Sequence, residues 1–348
     1  MTKLQKTDIV AVIGAGTMGA GIAQVAATAG HRTLLYDTSR TALSKSVEAI
    51  TQGLNRQRAK GKITKSERSA IIANIHPIDR IREVAGARFV IEAIIEDLAT
   101  KQSLFSQLEN ICGKKTILAS NTSSLSITAI ASALSRPGNL IGTHFSNPAQ
   151  IMKLVEVISG IRTRNSVTKT VFETFAAWGK QPVLARSTPG FIVNRVIRPF
   201  YAEALRLLED GASDIATLDE LMRQSGGFRM GPFELMDFIG HDVNYAVTCS
   251  IYKALYHDPR FLPSVRQKEL IDAGFLGRKS GRGFYKYRGS AKNPQPLFAK
   301  KAKSPATISI SGNLGVAQPL IGLWQDAGIR VIEKQGEDGS IRAGSASI

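Results

Sequence analysis

The sequence predicts the α/β class, a doubly wound sheet followed by an all-helical C-terminal domain. Three observations carry this. A β-branched run, DIVAVI at 8–13, leads through a glycine-rich turn into a helical stretch at about 17–29 and a second strand at 33–36. Short apolar runs then alternate with helical stretches towards Ser187, the pattern of a parallel sheet covered by helices. After Pro189 the strand pattern stops, and apolar residues recur at three- and four-residue spacing.

Taken in order, the first helix ends at Gly30, because glycine adopts left-handed dihedrals at little cost. The second strand ends at Asp37. Residues 89–93, 116–119, 140–143 and 154–158 read as strands, and 101–111 as a helix. His76, before Pro77, reads as part of a turn. In the second half, 191–209, 218–222, 232–238 and 243–255 read as helices. The expected boundaries are a doubly wound α/β domain at 1–187, a helical domain at 188–288, and a linker and tail at 289–348. The basic linker holds Arg288, Lys292, Lys300, Lys301 and Lys303. The tail reads as one strand–helix–strand piece at 307–334, too small to bury much surface alone, and the last ten residues read as disordered.

Composition narrows the class further. The chain has 348 residues, 43% hydrophobic and 21% charged, which suits a globular protein of about two domains. Its two cysteines, Cys112 and Cys249, lie far apart without CxxC spacing, which argues against a disulfide framework or structural zinc and for a reducing cytoplasm. The N-terminus lacks the order of a signal peptide. Residues 13–30 carry no charge, but their glycine, Gln and Thr content predicts a packed interior helix rather than a membrane span. The net charge of +17 suits an anionic ligand and exceeds what one ligand requires. No nucleic-acid module or aromatic interleaving accompanies it, so nucleic acid is not an expected partner.

Gly14, Gly16 and Gly19 form a GxGxxG turn between a strand and a helix, and the next strand ends in an acid. Gly14 permits the tight turn, Gly16 lets a pyrophosphate approach the backbone, and Gly19 lets the helix pack on the sheet. The phosphates would face the helix N-terminus. Asp37 would bind the adenosine ribose and repel a 2′-phosphate, which favours NAD, although Arg40 lies close enough to weaken that discrimination.

Hydride chemistry also needs a group to take the alcohol proton. Of five histidines, His31, His76, His241 and His257 read as structural or surface residues. His144 follows LIGT, so it sits at a strand end, where open α/β sheets place ligands. Glu156 lies inside LVEVI, where a carboxylate is costly without a partner. Pairing with His144 would satisfy it; strand alternation leaves a solvent-facing Glu156 equally open.

At this point the sequence resembles the 3-hydroxyacyl-CoA dehydrogenases, especially the bacterial 3-hydroxybutyryl-CoA type. The matching segments are VAVIGAGTMGAGIAQ at 10–24, VIEAIIEDLATK at 90–101, SNTSSLSIT at 120–128, GTHFSNP at 142–148 and MKLVEVI at 152–158. TPGFIVNRV at 188–196, MGPFELMDFIG at 230–240 and GRKSGRGFYKY at 277–287 continue it. The resemblance implies a Rossmann-type domain binding NAD, an acyl-CoA substrate and a homodimer built on the helical domain. It makes His144 the general acid/base, Glu156 its orienting partner, and Ser123 and Asn194 donors to the reacting oxygen. It puts Glu96, Lys101, Asn147 and Lys279 beside the cofactor. The basic stretch at 40–68 would cover the CoA nucleotide, with Lys60 as phosphate contact, unless it is simply a solvated arm.

Departures from the family accompany the match. Ser146 replaces the usual second Phe of HFFNP, and Ala149-Gln150 replaces a common Pro/Val pattern. A more polar acyl pocket would suit a functionalised chain such as hydroxyadipyl-CoA. The tail resembles the connector of longer two-module bacterial relatives and reads as a shortened remnant. The rivals are a 3-hydroxyisobutyrate-type dehydrogenase, disfavoured by the HFxNP histidine, and a non-catalytic, crystallin-like NAD binder, disfavoured by the intact His144, Glu156, Ser123 and Asn194.

Overall fold

A computed structural model describes residues 3–289, 293–298, 304–336, 339–343 and 346–347. The chain divides into two units, Met1–Pro294 and Gln295–Ile348. The first unit opens with β1 (Val10–Ile13), α1 (Thr17–Thr28), β2 (Thr33–Tyr36), α2 (Arg40–Ala59), α3 (Lys65–Ala73) and β3 (Ile75–Ile78). It continues with β4 (Phe89–Glu92), α4 (Leu98–Ile111), β5 (Ile117–Ser120), α5 (Ile127–Ala131), β6 (Leu140–Phe145), β7 (Leu154–Ser159), α6 (Asn165–Ala177) and β8 (Gln181–Arg186).

These strands form one sheet of order β3-β2-β1-β4-β5-β6-β7-β8. All pairings are parallel except β6 with β7. Strand alternation feeds two cores, one on each face. Val10 and Val12 of β1 join Phe89, Val157 and Phe175 on one side. Ala11 and Ile13 join Val90, Leu118 and Phe105 on the other. This is the doubly wound architecture that the alternating pattern predicts.

Two strands were not anticipated, β3 and β8, and both lie at sheet edges. His76 and Pro77 therefore belong to a strand and not to a turn. An edge position tolerates Pro77, whose missing N–H need not serve a second neighbour. The α4 helix starts three residues earlier than its periodicity suggests, because Asp97 caps it by accepting from the Thr100 N–H at 2.8 Å.

The helical half comprises α7 (Val193–Glu209), α8 (Ile215–Gln224), α9 (Pro232–Ile239), α10 (His241–Ala254) and α11 (Val265–Asp272). Its core gathers Tyr201, Leu205, Leu218, Phe233 and Met236. Buried Asp237 accepts from His241 Nε2 at 2.7 Å, from the Phe284 and Tyr285 N–H groups at 2.9 Å each, and from Tyr287 Oη at 3.0 Å. This one carboxylate pins the 277–287 segment to α9, which gives His241 a structural role.

The second unit comprises β9 (Thr307–Ser311), α12 (Leu320–Asp326), β10 (Arg330–Lys334), β11 (Ser340–Ala343) and β12 (Ala346–Ser347), in sheet order β10-β9-β11-β12. The expectation of a disordered end is corrected by β11, which pairs antiparallel with β9, and by β12. The alternation of TISIS buries Ile308 and Ile310. Lys292, Lys300, Lys301 and Lys303 of the expected linker lie outside the described residues. Among the described residues, no helix is long and apolar enough to cross a membrane.

Candidate active site

Because β1, β2, β4, β5 and β6 run parallel as neighbours, their carboxyl ends share one edge of the sheet. Gly14, Asp37, Glu96 and Ser123 follow the first four of these strands, and His144 lies near the end of β6. The strand order reverses between β1 and β4, which opens the crevice where such sheets bind ligands.

The glycine turn is built for close approach. Gly14 has φ +103°, and a Cβ there would lie 2.5 Å from the Ala93 carbonyl oxygen. A Cβ on Gly19 would collide with the Gly14 carbonyl, whereas one on Gly16 would meet nothing within 4 Å. Gly16 caps α1 without a side chain, so the first-turn N–H groups stay available to an anion. Asp37 Oδ2 accepts from the Ala15 N–H at 2.7 Å, and Oδ1 from the Ser39 N–H at 2.8 Å. The carboxylate is thereby fixed beside the turn. Arg40 instead pairs at the surface with Asp79 at 3.3 Å. A cavity of about 470 Å³ adjoins Asp37, lined by Ile13, Gly14, Tyr36, Ile81 and Ile94 among others. Open space at Gly16, an anchored acid and an adjoining cavity fit a dinucleotide.

Glu96 organises the loop after β5. Its Oε1 accepts from Thr122 Oγ1 at 2.6 Å, the Ser123 N–H at 2.9 Å and the Ser124 N–H at 3.1 Å. Burial alone would raise this carboxyl, but the Thr122 hydroxyl, the Lys101 ammonium and the Ser123 and Ser124 donors hold it below the usual carboxylate range. The Lys101 side chain is 1% exposed and sits 2.5 Å from Glu92 Oε1 and 3.4 Å from Glu96 Oε2. Its charge reaches the sheet edge only through Glu96.

His144 and Glu156 are directly opposed in the antiparallel β6–β7 pair. His144 Nδ1 lies 2.7 Å from Glu156 Oε2, and the Glu156 side chain is 1% exposed. Glu156 Oε1 accepts from the Ile192 N–H at 2.7 Å and the Val193 N–H at 3.1 Å, at the start of α7. The carboxylate thus orients the imidazole and also ties the sheet to the helical half. Asn194, in the first turn of α7, donates from Nδ2 to the Ser123 carbonyl at 3.4 Å. One chain of contacts, Ser123–Asn194–α7–Glu156–His144, gathers the four proposed reaction residues.

The remaining candidates stand apart. Asn147 is exposed two residues beyond β6. Lys279 pairs with Asp242 at 2.5 Å, and among the described residues no hydrogen bond or ion pair joins it to the sheet half. Lys60 is exposed at the C-cap of α2, after Arg56 and Arg58 in the last turn. Ala149 is buried in the core facing Gly21 of α1, so that departure from the family lies in packing. Sequence reasoning missed Glu92, which is fully buried and binds Lys101, Ser120 Oγ at 2.6 Å and the Ile94 N–H at 2.7 Å. The signal was available: Glu92 ends the apolar run FVIE, as Glu156 interrupts LVEVI.

The fold and this edge define a nicotinamide-dependent oxidoreductase. Residues 9–188 match the family model for the 3-hydroxyacyl-CoA dehydrogenase NAD binding domain, and residues 190–287 match that for the C-terminal domain. The chain belongs to the 3-hydroxyacyl-CoA dehydrogenase family, whose cofactor is NAD and whose reaction acts on a CH–OH group. It is 50% identical over 329 residues to the 3-hydroxyadipyl-CoA dehydrogenase of Escherichia coli, covering 94% of this chain and 68% of that relative. It is 40% identical over 276 residues to a probable 3-hydroxybutyryl-CoA dehydrogenase of Deinococcus radiodurans, covering 79% of this chain and 99% of that one. A crystal structure of 3-hydroxybutyryl-CoA dehydrogenase from Escherichia coli superposes with a TM-score of 0.83 at 39% identity, covering 96% of this chain and 81% of the other.

Proposed function

We propose that His144, held by Glu156, is the general acid/base for the interconversion of a 3-hydroxyacyl-CoA and its 3-ketoacyl-CoA. The observation that carries this is the 2.7 Å contact between His144 Nδ1 and a carboxylate that is 1% exposed. Glu156 occupies Nδ1, which leaves Nε2 to take the C3 hydroxyl proton. NAD, when bound, would supply the acceptor for the hydride that leaves C3. The C–H electron pair departs with the hydride, the O–H pair becomes the new C=O bond, and the proton rests on Nε2. In the reverse direction the imidazolium returns its proton to the ketone oxygen. Ser123 and Asn194 donate to that oxygen as charge develops on it. The Gly14–Gly19 turn and Asp37 hold the dinucleotide, Glu96 fixes the Ser123 loop, and Lys101 supports Glu96 from inside. Asn147 and Lys279 remain further cofactor candidates, and Lys60 a candidate contact for the CoA phosphates.

Within the class, the proposed substrate is a dicarboxylic acyl-CoA such as 3-hydroxyadipyl-CoA. The likeness at 50% identity to the relative of that name supports this, as does polar Ser146 beside His144. The proposed assembly is a cytoplasmic homodimer through the helical half, where Val196 is 70% and Phe238 60% exposed. NADH oxidation with acetoacetyl-CoA tests the reaction. Turnover by the intact chain, lowered on the order of 10²–10⁴ in His144→Gln, is the expected result; near-normal turnover in the variant removes His144 from its role.

A further inference from the structure

The buried face of α7 carries one cation that no carboxylate meets among the described residues. Arg198 is 5% exposed, in a stripe with Tyr201, Ala202 and Leu205. Its Nη1 donates to the Asn244 carbonyl at 3.1 Å and to Thr248 Oγ1 at 3.0 Å, while its Nε has no partner. Burial pulls the guanidinium below its ordinary range, and Tyr201, whose ring it faces at 4.8 Å, partly offsets this. Among the described residues no carboxylate forms an ion pair with it. The Tyr201 hydroxyl and the Asn244 Nδ2, both buried, are likewise unpaired. The other buried ions described above have counter-ions: Lys101 has Glu92, Glu156 has His144 and Asp237 has His241. A buried cation left unpaired opposes folding unless an anion meets it in use.

The position of Arg198 indicates which anion. It follows Asn194 by four residues, so it lies on the same helix face about 6 Å further along. With the C3 oxygen at Asn194, the CoA phosphates lie out beyond the thioester at C1. An anion at Arg198 must therefore belong to the other end of the acyl chain. In a six-carbon diacid the far carboxyl carbon lies three C–C bonds past C3, roughly 4 Å, and the carboxylate and guanidinium span the rest. The small cavity of about 10 Å³ beside Arg198 lies on the opposite side, among Tyr201, Thr248, Phe261 and Gln267, with room for one water and not for a carboxylate, so the pair needs the guanidinium to turn.

We propose that Arg198 is the receptor for the distal carboxylate of a dicarboxylic 3-hydroxyacyl chain, its guanidinium turning towards Asn194 to form the pair. Tyr201 and Asn244 supply flanking donors. This rests on the reading of His144 and Asn194 given above. It assigns the choice of acyl chain to a residue outside the reaction machinery. A neutral chain of the same length leaves the cation bare, and a site built to pair a polar group discriminates strongly against a substrate that lacks it.

The test compares 3-ketoadipyl-CoA with 3-ketohexanoyl-CoA, which differ at the far end of a six-carbon chain, as NADH-dependent substrates of the intact enzyme, Arg198→Lys and Arg198→Met. The intact enzyme is expected to favour the diacid by at least about tenfold in kcat/KM, chiefly through KM. Arg198→Met should erase that preference by weakening the diacid, with a far smaller change on the hexanoyl substrate, and Arg198→Lys should retain part of it. Equal losses on both substrates, or a preference untouched in Arg198→Met, overturns the proposal. Should Arg198→Met not fold, competitive inhibition of the intact enzyme and of Arg198→Lys by adipyl-CoA and hexanoyl-CoA decides it: tighter adipyl-CoA binding, weakened in Arg198→Lys, supports the pair, and equal inhibition constants overturn it. An intact enzyme that reduces both ketones without preference removes the diacid specialisation and leaves the dehydrogenase reading standing. Failure on both removes the reading of His144.

Discussion

Glu92 and Glu156 are equally buried, at 0% and 1% exposure, yet they hold opposite kinds of structure together. Glu92 meets Lys101, Ser120 and the Ile94 backbone, all within the sheet half, and the Lys101 side chain is as buried as the acid. Glu156 meets a histidine whose side chain is 14% exposed, and with its other oxygen it meets the first turn of the next domain. The first arrangement is closed, with every partner internal. The second is open at one end, because the imidazole side chain remains partly exposed. Burying a carboxylate has a similar cost in both places; whether it serves architecture or proton transfer depends on its partner's access to substrate.

This contrast can be broken by substitution. The largest effect is expected at the open end: His144→Gln should lower kcat by on the order of 10²–10⁴, the range of general acid–base help, while NADH still binds in a fluorescence titration. The closed end should fail in stability. Glu92→Leu leaves the buried Lys101 ammonium with only the longer 3.4 Å contact to Glu96 among the described residues and should cost up to about 3–5 kcal/mol in urea unfolding, with much of the loss recovered in Glu92→Leu/Lys101→Met. A double variant no more stable than the single one would show that the pair does more than neutralise itself.

Smaller effects sharpen the same distinction at the cofactor turn. Asp37→Asn drops the charge and keeps one of the two acceptor contacts, its amide nitrogen taking the place of the other oxygen, so the NAD-to-NADP ratio of kcat/KM should fall on the order of tenfold. An unchanged ratio removes the repulsive role. The smallest effect concerns Glu96. Its folded-state value is depressed, so its contribution is complete above the unfolded value of about 4.3 and is lost as pH falls through the folded one. Amide protection of residues 122–124 should weaken below that window in the native chain, and Glu96→Gln should abolish the pH dependence. Protection that declines identically in both proteins would place the sensitivity elsewhere.

The two carboxylates also show what a sequence reveals. The glycine turn and Asp37 were legible because their geometry is local, running from β1 through α1 to the end of β2. Glu156 was legible as an acid in an apolar run, but its partner required the register of two strands. Glu92 obeys the same rule and was missed, because it stands at the end of its apolar run and its partners, Lys101 and Ser120, come from α4 and the neighbouring strand. Lys101 instead lies under the sheet edge, a placement that depends on α4 packing and that no spacing reports. The edge strands β3 and β8 were missed because edge positions relax the apolar alternation on which strand assignment depends, and Pro77 argued against a strand outright. Strands β11 and β12 escaped because such short runs pair only when a neighbour receives them, β9 for β11 and β11 in turn for β12.

The coupling of Glu156 to His144 is tested by a double-mutant cycle on kcat with His144→Gln, Glu156→Gln and the double substitution. If the two act as one unit, Glu156→Gln slows the native enzyme but adds almost nothing once His144 is gone. Strict additivity of the two losses would mean that the acid serves only to fasten α7 and takes no part in positioning the imidazole.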